Sequence, residues 1–250
     1  SHELGQNFSK AFDIQFTDEN NELKYPYQTS WGVSTRLIGM IIMAHGDDKG
    51  LQLPPKLAPS QVVLIPITPK EEHKEPVMKI VNEINNEIGN QFRVKIDDRE
   101  NLSPGFKFNE WELKGVPLRI EIGPKDIENG SVVFSRRDGV DGKFSVPISD
   151  ISKKIDSVLD DIQISMLDSS KKYQEENTIH VSTKDELIEA LNSKPGFVSC
   201  YWHENSDHEN EIKELTKATL RCYLLDSTET DTSVNDSTNK GNLAIFSKAY

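Results

Sequence analysis

Three prolines fall within one eleven-residue stretch, Pro54, Pro55 and Pro59 of "LQLPPKLAPSQ". Proline lacks a backbone donor and fixes φ, so this stretch is neither a helix interior nor a central strand. It reads as a linker, and the patterning differs on its two sides. Upstream, "FSKAFDIQF" (8–16) alternates loosely and predicts a strand. A polar, Asn-rich turn at 17–24 leads to "YPYQTSWGVS", a second strand predicted to pair with it antiparallel. From Thr35 the period changes. "TRLIGMIIMAHGDD" is apolar nearly all round, which predicts a helix buried in a core and ended by Asp47, Asp48 and Gly50. Arg36 stands in its first turn, a poor place for surface solubility and a good one for meeting an anion. A helix-capping role, or pairing with Asp47 or Asp48, stays open.

Downstream, "QVVLIPI" is a short continuous apolar run, a buried strand. Val77, Ile80, Val81, Ile84 and Ile88 recur at helical spacing. "FRVKID" reads as a strand and "PGFKFNEWELKG" as a loop leading into a short helix. "PLRIEIG" alternates as a strand, and "GSVVFSRRDG" is another strand ending in a turn. Ile151, Ile155, Val158, Leu159, Ile162 and Met166 mark one face of a helix over 149–167. Strands interleaved with helices argue an α/β layer. From about 168 the chain reads as a charged helical extension, a strand at "TIHVS" and a helix with a Thr183–Glu186 capping box. Then come strands at "GFVSCYW" and "ATLRCYLL" around a helix, a loop over 226–240, and a closing "NLAIFSKAY", together a small α+β unit.

A net charge of −12 excludes bulk attraction to nucleic acid, so any such contact must be local. With 35% hydrophobic and 28% charged residues the chain is of globular type. The opening "SHELGQNFSKAF" has no apolar signal core, the apolar run at 37–44 is too short to span a bilayer, and there are two cysteines, Cys200 and Cys222. These features predict a cytoplasmic protein with reduced thiols and no membrane contact. The absence of an initial methionine suggests a piece of a longer chain.

Six stretches taken in order, "SHELGQNF", "YQTSWGVSTR", "HGDDKGLQLPPKLAPSQVVLIPI", "FKFNEWELKGVPLRIEIGPKD", "SRRDG" and the terminal "KAY", resemble the prolyl-tRNA synthetases of eukaryotes, archaea and some bacteria, a class II aminoacyl-tRNA synthetase family. The resemblance runs over the whole chain. It implies α/β and α+β architecture in three parts: the end of an antiparallel class II catalytic sheet with motif 3 (1–57), an α/β anticodon-binding domain with a mixed sheet (58–167), and a small α+β C-terminal domain (168–250). The implied activity is proline–tRNA ligation, with ATP, magnesium, L-proline and tRNA(Pro) as partners and a homodimer as the assembly. Motifs 1 and 2 would lie upstream, so this piece alone is expected to be inactive. The alternative is a non-catalytic tRNA- or RNA-binding paralogue module.

By the same resemblance Arg36 is the catalytic, ATP-contacting arginine of motif 3, where a permanently charged guanidinium suits a polyphosphate or a purine face. Ser34 is the neighbouring nucleotide contact. His2, Ser30 and Gly32 line the proline pocket, and Trp31 is either beside it or core. Glu112, Arg119, Lys125 and Asp126 are the implied contacts to the two anticodon guanines, whose edges offer donors to a carboxylate and acceptors to a cation. Phe106, Phe108 and Trp111 are candidates for base stacking or for core, and Arg119 with Glu121 for a surface ion pair instead. Arg136 and Arg137 are either phosphate contacts or a solubility pair at a hairpin end. Many family members hold a structural zinc in the last unit. His203 and His208 keep the spacing of its first two ligands, but the second pair is absent, so zinc is not expected and no metal ligand is assigned. Tyr250 resembles the family's ending, which reaches back toward the catalytic domain; a frayed end is the alternative.

Overall fold

The computed structural model describes residues 1–193, 195–225, 227 and 230–249. They divide into two compact units, Ser1–Asp160 and Asp161–Tyr250. Tyr250 lies outside the described residues.

The first unit opens with β1 (His2–Gly5), α1 (Asn7–Ala11), a small β2–β3 hairpin (Phe16–Thr17, Leu23–Lys24) and β4 (Gln28–Ser30). Residues 8–16 are therefore not one strand. Phe8 and Phe12 are an i,i+4 pair, the helical spacing, and their rings stack at 6.2 Å. The antiparallel partner of β4 is β1, with His2 opposite Ser30 and Glu3 opposite Thr29. Next come α2 (Arg36–His45) and a tight hairpin of β5 (Gly46–Asp47) and β6 (Gly50–Leu51). The helix forms as its pattern predicts, but none of its residues is buried. Ile38 is 62% and Met43 63% exposed. An all-round apolar helix reports that it has partners, not where they lie, and no described layer covers this one. The proline stretch joins β6 to the next strand without helix or strand, as proline requires. It is packed rather than loose: Pro54, Pro55 and Ala58 are buried. The Arg93 guanidinium donates to Pro55 O at 2.8 Å and to Ala58 O at 2.9 Å.

A five-stranded mixed sheet follows, in the order β11-β10-β9-β7-β8. Its elements are β7 (Val62–Pro66), α3 (Lys74–Ile88), β8 (Val94–Ile96), α4 (Pro104–Leu113), β9 (Leu118–Ile122), α5 (Pro124–Glu128), β10 (Ser131–Arg136) and β11 (Lys143–Pro147). β8, β7 and β9 run parallel; β10 and β11 are antiparallel to their neighbours. The chain steps from β7 outward to β8 through α3, then back past β7 to β9 through α4. Right-handed crossovers in opposite directions place the two helices on opposite faces. α3 buries Val77, Val81, Ile84 and Ile88. On the α4 face Val63 and Ile65 pack with Val116, Phe108 and Trp111. The same face of β9 carries Arg119 and Glu121, in register with Val63 and Ile65.

α4 begins directly at Pro104, not after a loop. Ser103 caps it, its Oγ accepting from Phe106 N at 3.3 Å, and proline at the first helical position loses no bond. α5 and β11 are additional to the elements expected from the sequence. α6 (Ile151–Glu176) is one continuous helix that takes in the charged extension.

The second unit orders β12 (Thr178–His180), β13 (Phe197–Trp202), β16 (Lys240–Lys248) and β14 (Ala218–Tyr223) in one sheet, with β15 (Thr230–Thr232) added on β16. The expected loop over 226–240 thus contains a strand; Asp226, Thr228 and Glu229 lie outside the described residues. α7 (Lys184–Ser193) starts with the predicted box: Glu186 N donates to Thr183 Oγ1, and Thr183 N to Glu186 Oε2, both at 3.3 Å. With α8 (Ser206–Thr216) it covers a core of Leu187, Leu191, Trp202, Ile212 and Phe246. No described helix is long and apolar enough to cross a membrane.

Candidate functional site

Arg36 is the first residue of α2. It is exposed and, among the described residues, forms no ion pair. A guanidinium has no acceptor, so it does not cap the helix. Asp47, one open partner, belongs to Arg137 instead, at 2.6 Å. Thr35 makes no side-chain cap bond; Leu37 N and Ile38 N are met by the carbonyls of Ser34 and Thr35, and the positive end of the helix dipole lies at Arg36. Ser34 is exposed, and its carbonyl accepts from Leu37 N at 3.1 Å. β1 and β4 bring His2 opposite Ser30 on exposed strand ends. A Cβ added at Gly32 would meet nothing within 4 Å, so backbone there is open to approach. Trp31 is 83% exposed, hence not core among the described residues.

The other four candidates fall in two places. Glu112 and Arg119 line a small cavity of about 40 Å³ together with Trp111, Ser135 and Arg137. Lys125 and Asp126 follow the carboxyl end of β9, which lies roughly 10 Å of strand from Arg119 at about 3.3 Å per residue. Lys125 is exposed. Asp126 already spends one oxygen as a cap, accepting from Gly123 N at 2.9 Å.

Arg119 is held on every side. Its Nε donates to Glu121 Oε1 at 3.0 Å, a terminal nitrogen donates to Ser135 Oγ at 3.0 Å, and its plane lies 4.5 Å from the Phe108 ring centre. The pair with Glu121 exists, but it is not a surface pair: the side chains are 13% and 8% exposed. Lys143 completes the group, 2.8 Å from Glu121 and 4.8 Å above Phe108. Lys143 and Ser135 carried no sequence signal. Strand register alone sets Ser135 beside both Arg119 and Lys143. Phe108 is committed to these cations, and the Trp111 indole donates to Asp97 at 2.7 Å. Phe106 is the exposed ring of the three.

"SRRDG" supplies neither a phosphate contact nor a solubility pair. Arg136 is buried against Asp138 at 2.7 Å, and Arg137 against Asp47. The Arg137 guanidinium holds the Asp47 carboxyl well below the usual carboxylate range.

In the second unit Asn235 ties the two histidines together. Its side-chain amide donates to His203 O at 2.9 Å and lies 3.1 Å from His208 Nδ1, while Ser233 Oγ accepts from His203 N at 2.8 Å. Among the described residues no three His, Cys, Asp or Glu side chains converge as a metal site. Burial pushes the Cys200 thiol up to about 12, which leaves it inert.

Comparison with known proteins adds sequence and structural kinship. The family model described as anticodon binding domain matches residues 61–157, and that described as prolyl-tRNA synthetase, C-terminal, matches 184–250. A proline--tRNA ligase of Roseiflexus sp. (strain RS-1) is 50% identical over 228 residues, 90% of this chain and 47% of that protein. One of Natranaerobius thermophilus is 51% identical over 221 residues, 88% of this chain and 45% of that protein. The solved prolyl-tRNA synthetase of Cryptosporidium parvum, complexed with L-proline and AMP, superposes with a TM-score of 0.87 at 43% identity, covering 100% of this chain and 54% of that one. The chain spans about half the length of the relatives it matches. With both domain matches in order and near-half identity along most of its length, the chain belongs to the prolyl-tRNA synthetase family.

Proposed function

We propose that this chain supplies the motif 3 corner and the anticodon-reading layer of a proline–tRNA ligase, completed by the half of the protein that its relatives have and it does not span. The observation that carries the reading is Arg36: an exposed guanidinium without an ion pair among the described residues, at the start of an uncovered apolar helix that begins six residues after the Ser30 end of β4. Its position suits an ATP phosphate or purine, with Ser34 next to it and His2, Ser30 and Gly32 bordering the proline site. In the reaction the proline carboxylate attacks the α-phosphorus of ATP and pyrophosphate leaves. The terminal hydroxyl of the tRNA then attacks the prolyl carbonyl, and AMP leaves. Positioning and charge stabilisation supply the catalysis. Magnesium would neutralise the polyphosphate. The described residues offer no metal-ligand cluster to seat it, so no step here is assigned to it.

In this reading Glu112 and Arg119 meet one anticodon guanine, and Lys125 with the free oxygen of Asp126 meets the other. The division of parts at 1–57, 58–167 and 168–250, a homodimer and a cytoplasmic location belong to the same reading.

Proline-dependent ATP–pyrophosphate exchange in the full-length protein tests it. Arg36→Ala should abolish exchange and leave tRNA(Pro) affinity within about twofold. Exchange that survives this substitution would remove Arg36 from the catalytic role, and a full-length protein that shows none would favour the non-catalytic RNA-binding module instead.

A further inference from the structure

The β5–β6 hairpin is bolted to the end of α4. Gly50 has φ +127°, and a Cβ there would fall 2.5 Å from Leu113 O. Gly115 has φ +73°, and a Cβ there would fall 2.6 Å from Leu51. Leu53 N donates to Gly115 O at 3.2 Å. Across this backbone contact lies Arg137, its side chain 5% exposed. Its Nε donates to Glu112 O at 2.9 Å, and its two terminal nitrogens grip the Asp47 carboxylate at 2.6 and 3.0 Å. Asp47 is itself fixed by Gln52 Nε2 at 3.0 Å and Lys49 N at 2.8 Å. Lys49 reaches the Glu112 carboxylate at 3.5 Å.

We propose that Asp47, acting through Arg137, is a positioning residue for anticodon reading at Glu112. This rests on the assignment of Glu112 to a guanine. Glu112 sits in the last turn of α4, where carbonyls lose their i+4 partners; its own accepts from Gly115 N at 3.0 Å and has a second lone pair to be held from outside the helix. Arg137 holds it, and a guanidinium with two bonds to one carboxylate has a fixed plane. The direction of the Glu112 side chain is thus set from Asp47, 65 positions away in sequence. Asp47 follows the far end of α2 from Arg36, about 15 Å along a ten-residue helix. Its effect therefore falls on RNA reading and not on proline activation.

The test uses the full-length enzyme with tRNA(Pro) transcripts in which each anticodon guanine is replaced in turn by adenine. Asp47→Asn keeps the shape but presents an N–H to Arg137. It should raise KM for tRNA about tenfold, cut the guanine-over-adenine preference at one anticodon position by a similar factor, and leave kcat and ATP–pyrophosphate exchange unchanged. Arg137→Lys, which keeps the charge but cannot hold carboxylate and carbonyl together, should do the same. Asp47→Glu should restore most of the preference. In a Glu112→Gln background Asp47→Asn should add nothing. Unchanged discrimination in Asp47→Asn and Arg137→Lys, where Glu112→Gln does lose it, overturns this inference alone. Discrimination unmoved by Glu112→Gln overturns the assignment of Glu112 and this inference with it. Exchange falling in step with aminoacylation assigns the joint to the activation end and also overturns it.

Discussion

Replacing Asp97 with asparagine should unfasten α4 from the sheet. The Asp97 side chain is 1% exposed and is surrounded by Arg99, Trp111 and Lys107. Arg99 approaches with Nε at 2.8 Å and a terminal nitrogen at 2.7 Å, Trp111 Nε1 lies at 2.7 Å, and Lys107 Nζ at 3.9 Å. Arg99 is half-exposed and keeps Glu110 at 2.7 Å, so its loss is largely screened by solvent. Lys107 dominates the cost. It is nearly as buried as Asp97, and without the carboxylate its only remaining bond there is to Asp97 O at 3.0 Å. Orphaning one member of a buried pair costs about 3–5 kcal/mol. An asparagine still accepts from the indole, which places the loss near the bottom of that range, about 3 kcal/mol. For a unit of this size that is a Tm drop of roughly 6–12 °C.

The pH dependence checks the cause. The paired Arg99 guanidinium, then the indole and Lys107, hold the Asp97 carboxyl far below its ordinary value. A depressed carboxyl contributes its stability above its unfolded pKa of about 3.9 and loses it as pH falls through the folded value. The gap between wild type and Asp97→Asn should therefore be full at pH 7 and shrink on acidification below about 4. Scanning calorimetry of both proteins at several pH values measures this. Asp97→Asn with Lys107→Met should recover much of the loss, because the orphan charge is gone. A Tm change under about 2 °C at pH 7, or a double variant no better than the single, would refute the reasoning.

Gly50→Ala should cost about 1–3 kcal/mol from its backbone conformation alone, with the Leu113 clash added, seen as a lower urea midpoint. Chelator treatment should leave thermal unfolding of the second unit unmoved, since Asn235 and Ser233 join the segments around His203 and His208. Asn235→Ala should lower its stability by about 1–3 kcal/mol, read by urea denaturation.

Elements whose own pattern fixes their surroundings were readable in advance. β7 is a bare apolar run that became a fully buried interior strand, and the Val77–Ile88 spacing gave the buried stripe of α3. The Thr183–Glu186 box worked because both partners lie within one turn. What depended on distant partners was not readable. α2 announced burial but not the absence of a covering layer. Arg137 meets Asp47 ninety positions away, and no local pattern marks that pair. Asp97 looked like the end of a strand, yet it gathers Arg99, Lys107 and Trp111. α5 carries a local signal, Pro124 at the helix start and Asp126 three residues after Gly123. The candidate site was reached by family resemblance. The structure then separated Arg36, which stands open, from Arg119, which is built into the fold.

The most direct measurement is a crossed one: tRNA(Pro) affinity, for guanine-bearing and adenine-substituted anticodons, in wild type, Arg36→Ala and Arg119→Ala. The preference for guanine should persist in Arg36→Ala and fall at one position in Arg119→Ala by roughly 1–3 kcal/mol. An Arg36→Ala enzyme that lost that preference, or an Arg119→Ala enzyme that kept all of it, would contradict the division of labour between the two arginines.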